Sequence, residues 1–166
     1  MSAPAARRAT AFAPASVGNV GVGFDILGFS VDVLGDRVSA TVSATPGVTI
    51  KSISGVADDL PLEAAQNTAG RAVQALAEVA APSFGIELEI VKGIPLGSGL
   101  GGSAASAVAA VVAANGLLQT PFSKLDLLKF AMQGEAVASG ALHVDNIAPS
   151  LFGGLVLTVG IDNPRV

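Results

Sequence analysis

PLGSGLGGSAAS, residues Pro95–Ser106, lies between an alternating apolar run and a long Ala/Val run, and its reading decides the fold. Upstream, GIELEIVKG sets Ile86, Leu88 and Ile90 against Glu87 and Glu89, the period-two pattern of a half-buried strand. Downstream, Gly101 to Ala114 has almost no polar face, which predicts a helix buried in the middle of the domain. A strand, a glycine turn and a helix N-terminus together make an anion site. The first helical turn leaves backbone N–H groups unpaired, and the helix dipole adds partial positive charge there. Gly97, Gly99, Gly101 and Gly102 let the backbone approach an oxyanion with no Cβ in the way. Ser98, Ser103 and Ser106 add hydroxyls suited to phosphate or to a Mg²⁺ ion.

Outward from this segment the chain alternates strand and helix signals. AFAPASVGNVGVGFDILGFSVD, residues 11–32, reads as strand, tight loop, then strand or short helix. RVSATVSA follows as a half-buried strand with Val38, Ala40 and Val42 in phase. VTIKSISG follows a Pro46-Gly47 turn, so the two strands are expected to form a hairpin. A helix is predicted over Asn67 to Ala80, with Val73, Leu76, Ala77 and Ala80 on one face and Pro82 as its stop. Ser123 caps a further helix, Lys124 to Ala138, whose apolar face carries Leu125, Leu128 and Met132. HVDNIAPS reads as loop and LFGGLVLTVG as a final strand. The fold class is α+β, with a mixed or antiparallel sheet.

Composition narrows the function classes. The 166 residues suit one domain with a useful core, and half of them are hydrophobic. The net charge is −4 with the basic residues scattered, which argues against a nucleic-acid surface. Seven Phe with no Trp or Tyr provide no stacking platform for bases. The absence of Cys removes disulfides, thiolate catalysis and Cys-type zinc sites. The longest apolar run, Ala104 to Ala114, falls well short of the roughly 20 residues that span a bilayer. MSAPAARRAT has no apolar stretch behind its arginines and does not read as a signal peptide. The expectation is a cytoplasmic protein with neither membrane nor nucleic acid as partner.

Three phosphate loops compete for Pro95–Ser106. Gly97, Gly99 and Gly102 satisfy G-x-G-x-x-G, but a dinucleotide fold also needs a strand ending in an acid about 20 residues on. That stretch is helix, loop and helix, and its first acid, Asp126, lies in a helical first turn. A Walker A loop needs a lysine at the helix start, and none exists between Lys92 and Lys124. A purely structural Gly/Ala turn that packs a helix on a strand is the remaining non-functional alternative. The segment PLGSGLGGSAA resembles the P-x-x-x-G-L-G-S-S-A-A loop of the GHMP kinases, with Gly102 where the first Ser is usual. These are the galactokinase, homoserine kinase, mevalonate kinase and phosphomevalonate kinase group.

Two further stretches narrow the resemblance. Pro14 to Gly28, PASVGNVGVGFDILG, is similar to the substrate motif of homoserine kinases, PA-T/S-x-x-N-x-G-x-G-F-D-x-L-G. Asn19 and Asp25 offer an amide and a carboxylate suited to a small polar molecule with an ammonium group. In a plain turn the same two side chains would satisfy local backbone. Glu135 to Ser150, EAVASGALHVDNIAPS, resembles the segment E-x-x-x-x-G-x-x-H-x-D-N-x-A-P of the same enzymes.

The resemblance to a homoserine kinase N-terminal domain covers nearly the whole chain and implies a fold and a site. The fold is a GHMP-kinase N-terminal domain, ribosomal protein S5 domain 2-like, with a mixed sheet packed with helices and a left-handed β-α-β crossover. ATP and Mg²⁺ are the implied cofactors, and L-homoserine, phosphorylated on its side-chain hydroxyl in threonine biosynthesis, the implied substrate. The nucleotide would be held by Pro95, Gly97, Ser98, Gly99, Leu100, Gly101, Gly102, Ser103 and Ala104, with Asn67 and Thr68 near the adenine. Ser103 and Glu135 would bind the metal, and Asn19, Asp25, His143 and Asp145 the amino acid. Galactokinase-like and mevalonate-kinase-like members carry a catalytic Asp where this chain has Asn146. An amide takes no proton at neutral pH, so Asn146 implies catalysis without a carboxylate base at that position.

The departure is one of length. Residues 1–166 read as a nucleotide-binding domain alone, and the ending after a strand, at Asn163 to Val166, reads as a cut. The third glycine-rich motif and the substrate arginines of homoserine kinases are not in this sequence. A fragment with little or no kinase activity is therefore expected, and its uncovered apolar surface opens a route to a homodimer. Two alternatives stay open: a GHMP kinase for mevalonate-type or sugar substrates, and a non-catalytic nucleotide-binding module.

Overall fold

The structure, a computed structural model, describes residues 7–139, 144–159 and 166. Its elements run β1 Arg8–Val17, β2 Leu27–Ser43, β3 Val48–Gly55, a 3₁₀ turn Ala64–Gln66, α1 Thr68–Ala80, β4 Gly85–Lys92, α2 Gly102–Asn115, α3 Lys124–Ser139, α4 Ile147–Phe152 and β5 Leu155–Leu157. The sheet order is β1-β2-β4-β3, and β5 pairs with the start of β2.

Strand β2 organises the sheet. It runs for 17 residues and pairs antiparallel with β1 along one edge, Gly35–Thr41 against Arg8–Pro14 and, after an irregularity, Phe29–Val31 against Ala15–Val17. On the other edge Leu27–Phe29 pairs with β5, and Arg37–Ser43 with β4. Strand β4 therefore occupies the place beside β2 that a hairpin would give to β3. The Pro46-Gly47 turn was expected to close such a hairpin; instead β3 lies beyond β4 and runs parallel to it. The physical reason is burial. Both flanks of β4 are strands, so its inward residues Ile86, Leu88 and Ile90 are all but fully buried, whereas β3 at the edge buries only Ile50. The more apolar strand takes the centre, and α1 connects the parallel pair β3 and β4.

Helix α2 lies against β1 and β2, with α1 beside it and α3 packed over both helices. Ten of its fourteen residues are buried, which explains a sequence with no polar face: sheet and helices surround it. Small Ala side chains keep these layers close, and the larger core residues Val73, Leu76, Leu88, Val111 and Leu128 fill the remaining space. Burying such a side chain fully is worth about 1.5–3 kcal/mol each.

Helix ends follow side-chain chemistry. Asn67 caps α1, its Oδ1 accepting from Ala69 N and Gly70 N at 3.0 and 3.4 Å. The helix stops at Ala81, which takes a left-handed conformation just before Pro82. Ser123 Oγ accepts from Asp126 N at 3.3 Å and donates to Asp126 Oδ2 at 2.6 Å, closing the first turn of α3. The last segment departs from expectation. Residues Ile147–Phe152 of the predicted loop and strand form α4, and the final strand shrinks to Leu155–Leu157. Helix α4 buries Ile147, Ala148 and Leu151 against β1, β2, α2 and α3, so tertiary burial overrides the loop signal of HVDNIAPS.

Candidate active site

The glycine segment turns between the end of β4 and the start of α2, and its conformation is one that side chains oppose. Gly97, Gly99 and Gly101 all have positive φ, at 68°, 72° and 64°. With α2 beginning at Gly102, the loop and the first turn of the helix border a cavity of about 310 Å³. Pro95 through Ser103 line it, together with Glu135 from α3 and Asn146 from the head of α4. Ala104 is fully buried behind, in the first turn of α2.

Ser103 and Glu135 come together across the two helices: Ser103 Oγ donates to Glu135 Oε1 at 2.8 Å. A hydroxyl and a carboxylate are hard oxygen donors of the kind Mg²⁺ takes. That ion is usually held by one or two carboxylates plus substrate phosphates and water, so a single acid beside the glycine loop fits it. No group of three or more potential metal-ligating acids, His or Cys occurs among the described residues.

A second cavity, about 210 Å³, adjoins the first and shares Leu96 and Ser103 with it. Ile53, Leu60, Pro61 and Val137 give it apolar walls, and Asn67, Thr68 and Lys92 add polar groups. The Asn67 amide is already engaged, since Nδ2 donates to Pro61 O at 2.9 Å while Oδ1 caps α1. Its role is thus to shape the wall where Pro61 turns into α1.

The residues of the first loop cluster on the other side of Asn146. Asn19 and Asp25 both take left-handed conformations, φ 56° and 60°. Asn19 Oδ1 accepts from Asp25 N at 3.0 Å, and its Nδ2 donates to Asp145 Oδ2 at 3.0 Å. Asp145 is buried. The amide of Asn19 therefore folds the loop and joins it to Asp145, so part of its chemistry is local structure. His143 lies outside the described residues.

Sequence reasoning passed over the most heavily bonded polar group beneath the loop. Lys92 Nζ pairs with Asp36 Oδ2, and also donates to Ser106 Oγ at 2.7 Å and to Gly102 O at 2.8 Å. Ser106 Oγ donates to Asp36 Oδ2 at 2.6 Å, and Asp36 Oδ1 accepts from Gly93 N and Ile94 N at 2.9 and 3.2 Å. Both charges are buried. The hydroxyl of Ser106, expected to serve phosphate or metal, is spent in this network instead. A signal for it existed in the strand phase: Asp36 is in step with Val38 and Ala40, and Lys92 with Ile86, Leu88 and Ile90. The pairing Arg37↔Val91 sets the two charged residues opposite one another one step further along.

Comparisons with known proteins agree with this geometry. A profile for "GHMP kinases N terminal domain" matches residues 67–154, more than half of the chain. A homoserine kinase of Xylella fastidiosa is 55% identical over 156 residues, covering 94% of this chain and 48% of the relative. The crystal structure of a homoserine kinase from Cytophaga hutchinsonii superposes with a TM-score of 0.89 at 45% identity, covering 99% of this chain and 52% of that one. A mevalonate kinase of Methanococcus jannaschii shares the fold at a TM-score of 0.71 and 16% identity. The chain spans about half the length of the relatives it matches. No helix among the described residues is long and apolar enough to cross a membrane. The glycine loop, the mixed sheet under it and the profile match converge on one assignment: this chain belongs to the GHMP kinase family, and it carries the family's N-terminal domain fold.

Proposed function

We propose that this chain is the nucleotide-binding domain, spanning residues 1–166, of an ATP-dependent kinase that converts L-homoserine to O-phospho-L-homoserine, a step of threonine biosynthesis. The carrying observation is the cavity in which the Gly97–Ser103 backbone, Ser103–Glu135 and Asn146 meet. The 55% identity to a homoserine kinase supports homoserine as the acceptor. A cytoplasmic setting goes with that substrate.

Phosphoryl transfer is largely positioning and charge neutralisation. In this reading the loop N–H groups and the α2 N-terminus hold the phosphates, and the adjoining cavity beside Asn67 and Thr68 takes the adenine. Ser103 and Glu135 would hold Mg²⁺, which supplies neutralisation of phosphate charge when bound. Asn19, Asp25, His143 and Asp145 would bind the amino acid and align its hydroxyl. Such alignment can lower a barrier by roughly 7–11 kcal/mol. Asn146 stands at the reacting end as a hydrogen-bonding group, not a base.

The test is turnover of Mg-ATP by the full-length protein with homoserine, mevalonate or galactose as acceptor. Homoserine alone should be phosphorylated, and Glu135→Gln should weaken Mg²⁺-dependent turnover by at least about 10–100-fold, the range seen even for outer-shell partners of metals. Preference for mevalonate or galactose would reassign the acceptor. Mg-ATP binding with no turnover of any acceptor would instead support a non-catalytic nucleotide module.

A further inference from the structure

Ser16, near the end of β1, is fully buried and stands at the T/S position of the Pro14–Gly28 motif, with no role assigned to it above. Two bonds tie it to the site. Its N–H donates to Leu100 O in the glycine loop at 3.1 Å, and its Oγ donates to Asn146 Oδ1 at 3.1 Å. The same corner is tightly closed by Gly101: a Cβ there would lie 2.3 Å from Ser16 Oγ and 3.0 Å from Asn146 Oδ1. The carbonyl end of the Asn146 amide is thus packed between Ser16 and Gly101. The Nδ2 end lies on the side of Gly18, where a Cβ would meet it at 2.8 Å, at the head of the loop carrying Asn19 and Asp25.

We propose that Ser16 is a positioning residue that fixes which face of Asn146 serves the reaction. The terminal torsion of an Asn side chain is broad and roughly two-fold, so its neighbours decide which end faces where. With the Ser16 hydroxyl donating to Oδ1, the Asn146 –NH₂ becomes the end offered beside the substrate loop. That group has two donors and no acceptor. It can stabilise a developing anionic oxygen, and it cannot take a proton. Ser16 does this while holding the loop at Leu100, so the donor and the phosphate cradle move as one unit. The inference rests on the phosphoryl-transfer reading of the site.

The experiment uses the full-length protein with Ser16→Ala and Ser16→Thr, each alone and combined with Asn146→Ala. Because one preorganised donor is typically worth 10²–10³ in kcat and Ser16 acts through it, Ser16→Ala should lower kcat about tenfold or more while KM for ATP stays within about twofold. Ser16→Thr, which keeps the hydroxyl, should restore most of the rate. In the Asn146→Ala background Ser16→Ala should cost nothing further, because its partner is gone. Equal losses in both backgrounds, or a Thr variant as slow as Ala, would overturn the proposal and leave Ser16 a packing residue. The side-chain amide resonance of Asn146, assigned by its loss in Asn146→Ala, gives a readout that needs no acceptor. It should shift in Ser16→Ala and return in Ser16→Thr. An unmoved resonance overturns the proposal even if the acceptor proves not to be homoserine, whereas a shift without homoserine turnover sinks only the substrate assignment.

Discussion

At the scale of single residues, Asp36–Lys92 is, among the described residues, the salt bridge with both partners buried. Two charges are buried with a hydroxyl, two backbone N–H groups and a helix carbonyl around them. Such pairs are poor sources of net stability, yet removing one partner strands the other without water, which costs about 3–5 kcal/mol. Asp36→Ala should therefore lower the free energy of unfolding by about that amount, read from chemical denaturation. A loss below about 1 kcal/mol would mean that Lys92 finds water or another acceptor. The same residues show where the site was and was not legible. The turn between β4 and α2 is written in closely spaced glycines and serines, so its conformation is legible in the string. Asp36 and Lys92 are 56 positions apart and meet only through strand pairing. Ser16 likewise meets Asn146 across 130 positions. Residues joined by register, not by proximity in sequence, leave only a phase signal: a charge in step with the buried face of a strand.

At the scale of elements, the segments with strong internal periodicity were legible and those governed by neighbours were not. Strand β4, helix α1 and helix α2 announced themselves because their patterns match the surfaces they bury. The partner of β3 was not legible, since a turn signal says that the chain reverses but not that another strand will enter the gap. Helix α4 was missed because its six residues are too few for a periodic pattern, and burial holds it. Close approach of elements is also silent in a sequence, and Gly134 is the clearest instance. On α3, a Cβ at this position would lie 2.3 Å from Thr68 O and 2.8 Å from Ala72 Cβ of α1. Ala is the better helix former by roughly 0.5–1 kcal/mol, but overpacking against backbone costs about 1–3 kcal/mol. The clash wins, so Gly134→Ala should destabilise by about 1–2 kcal/mol. Because Glu135 follows on the same helix, the displacement should also weaken Mg-ATP binding, measured by calorimetry. A stabilised variant with unchanged affinity would show that α3 shifts freely.

At the scale of the whole molecule, the sheet is one-sided. Helices cover the face of Val38, Ala40, Ile86 and Leu88, while the opposite face carries a charge network across strands distant in sequence. Arg8 of β1 pairs with Glu89 of β4 at 2.7 Å, and Lys51 of β3 reaches Glu89 at 3.2 Å and Glu87 at 3.7 Å. This network links β1 to β3 over the two strands between them, so it forms only when the whole sheet has assembled in register. Its signature is pH dependence with a definite sign. The hydrogen bond from Lys51, then the charge of Arg8, holds the Glu89 carboxyl below its ordinary value of 4.5. The unfolded chain therefore binds a proton at a pH where the folded one does not, and stability falls as pH drops from that value through the lowered one. The hydrogen bond to Glu89 raises Lys51 above 10.5, so its contribution is complete below that value and fades as pH rises past it. Between the two limits the network contributes fully. All of these side chains are solvent-accessible, so added salt should shrink both limbs. Glu89→Gln should flatten the acid limb of the stability-pH curve relative to the parent protein, and Lys51→Met should flatten the acid and alkaline limbs together. Superimposable acid limbs for the parent and Glu89→Gln would assign the acid response to other carboxylates, and with it remove this network as the element that senses a fully assembled sheet.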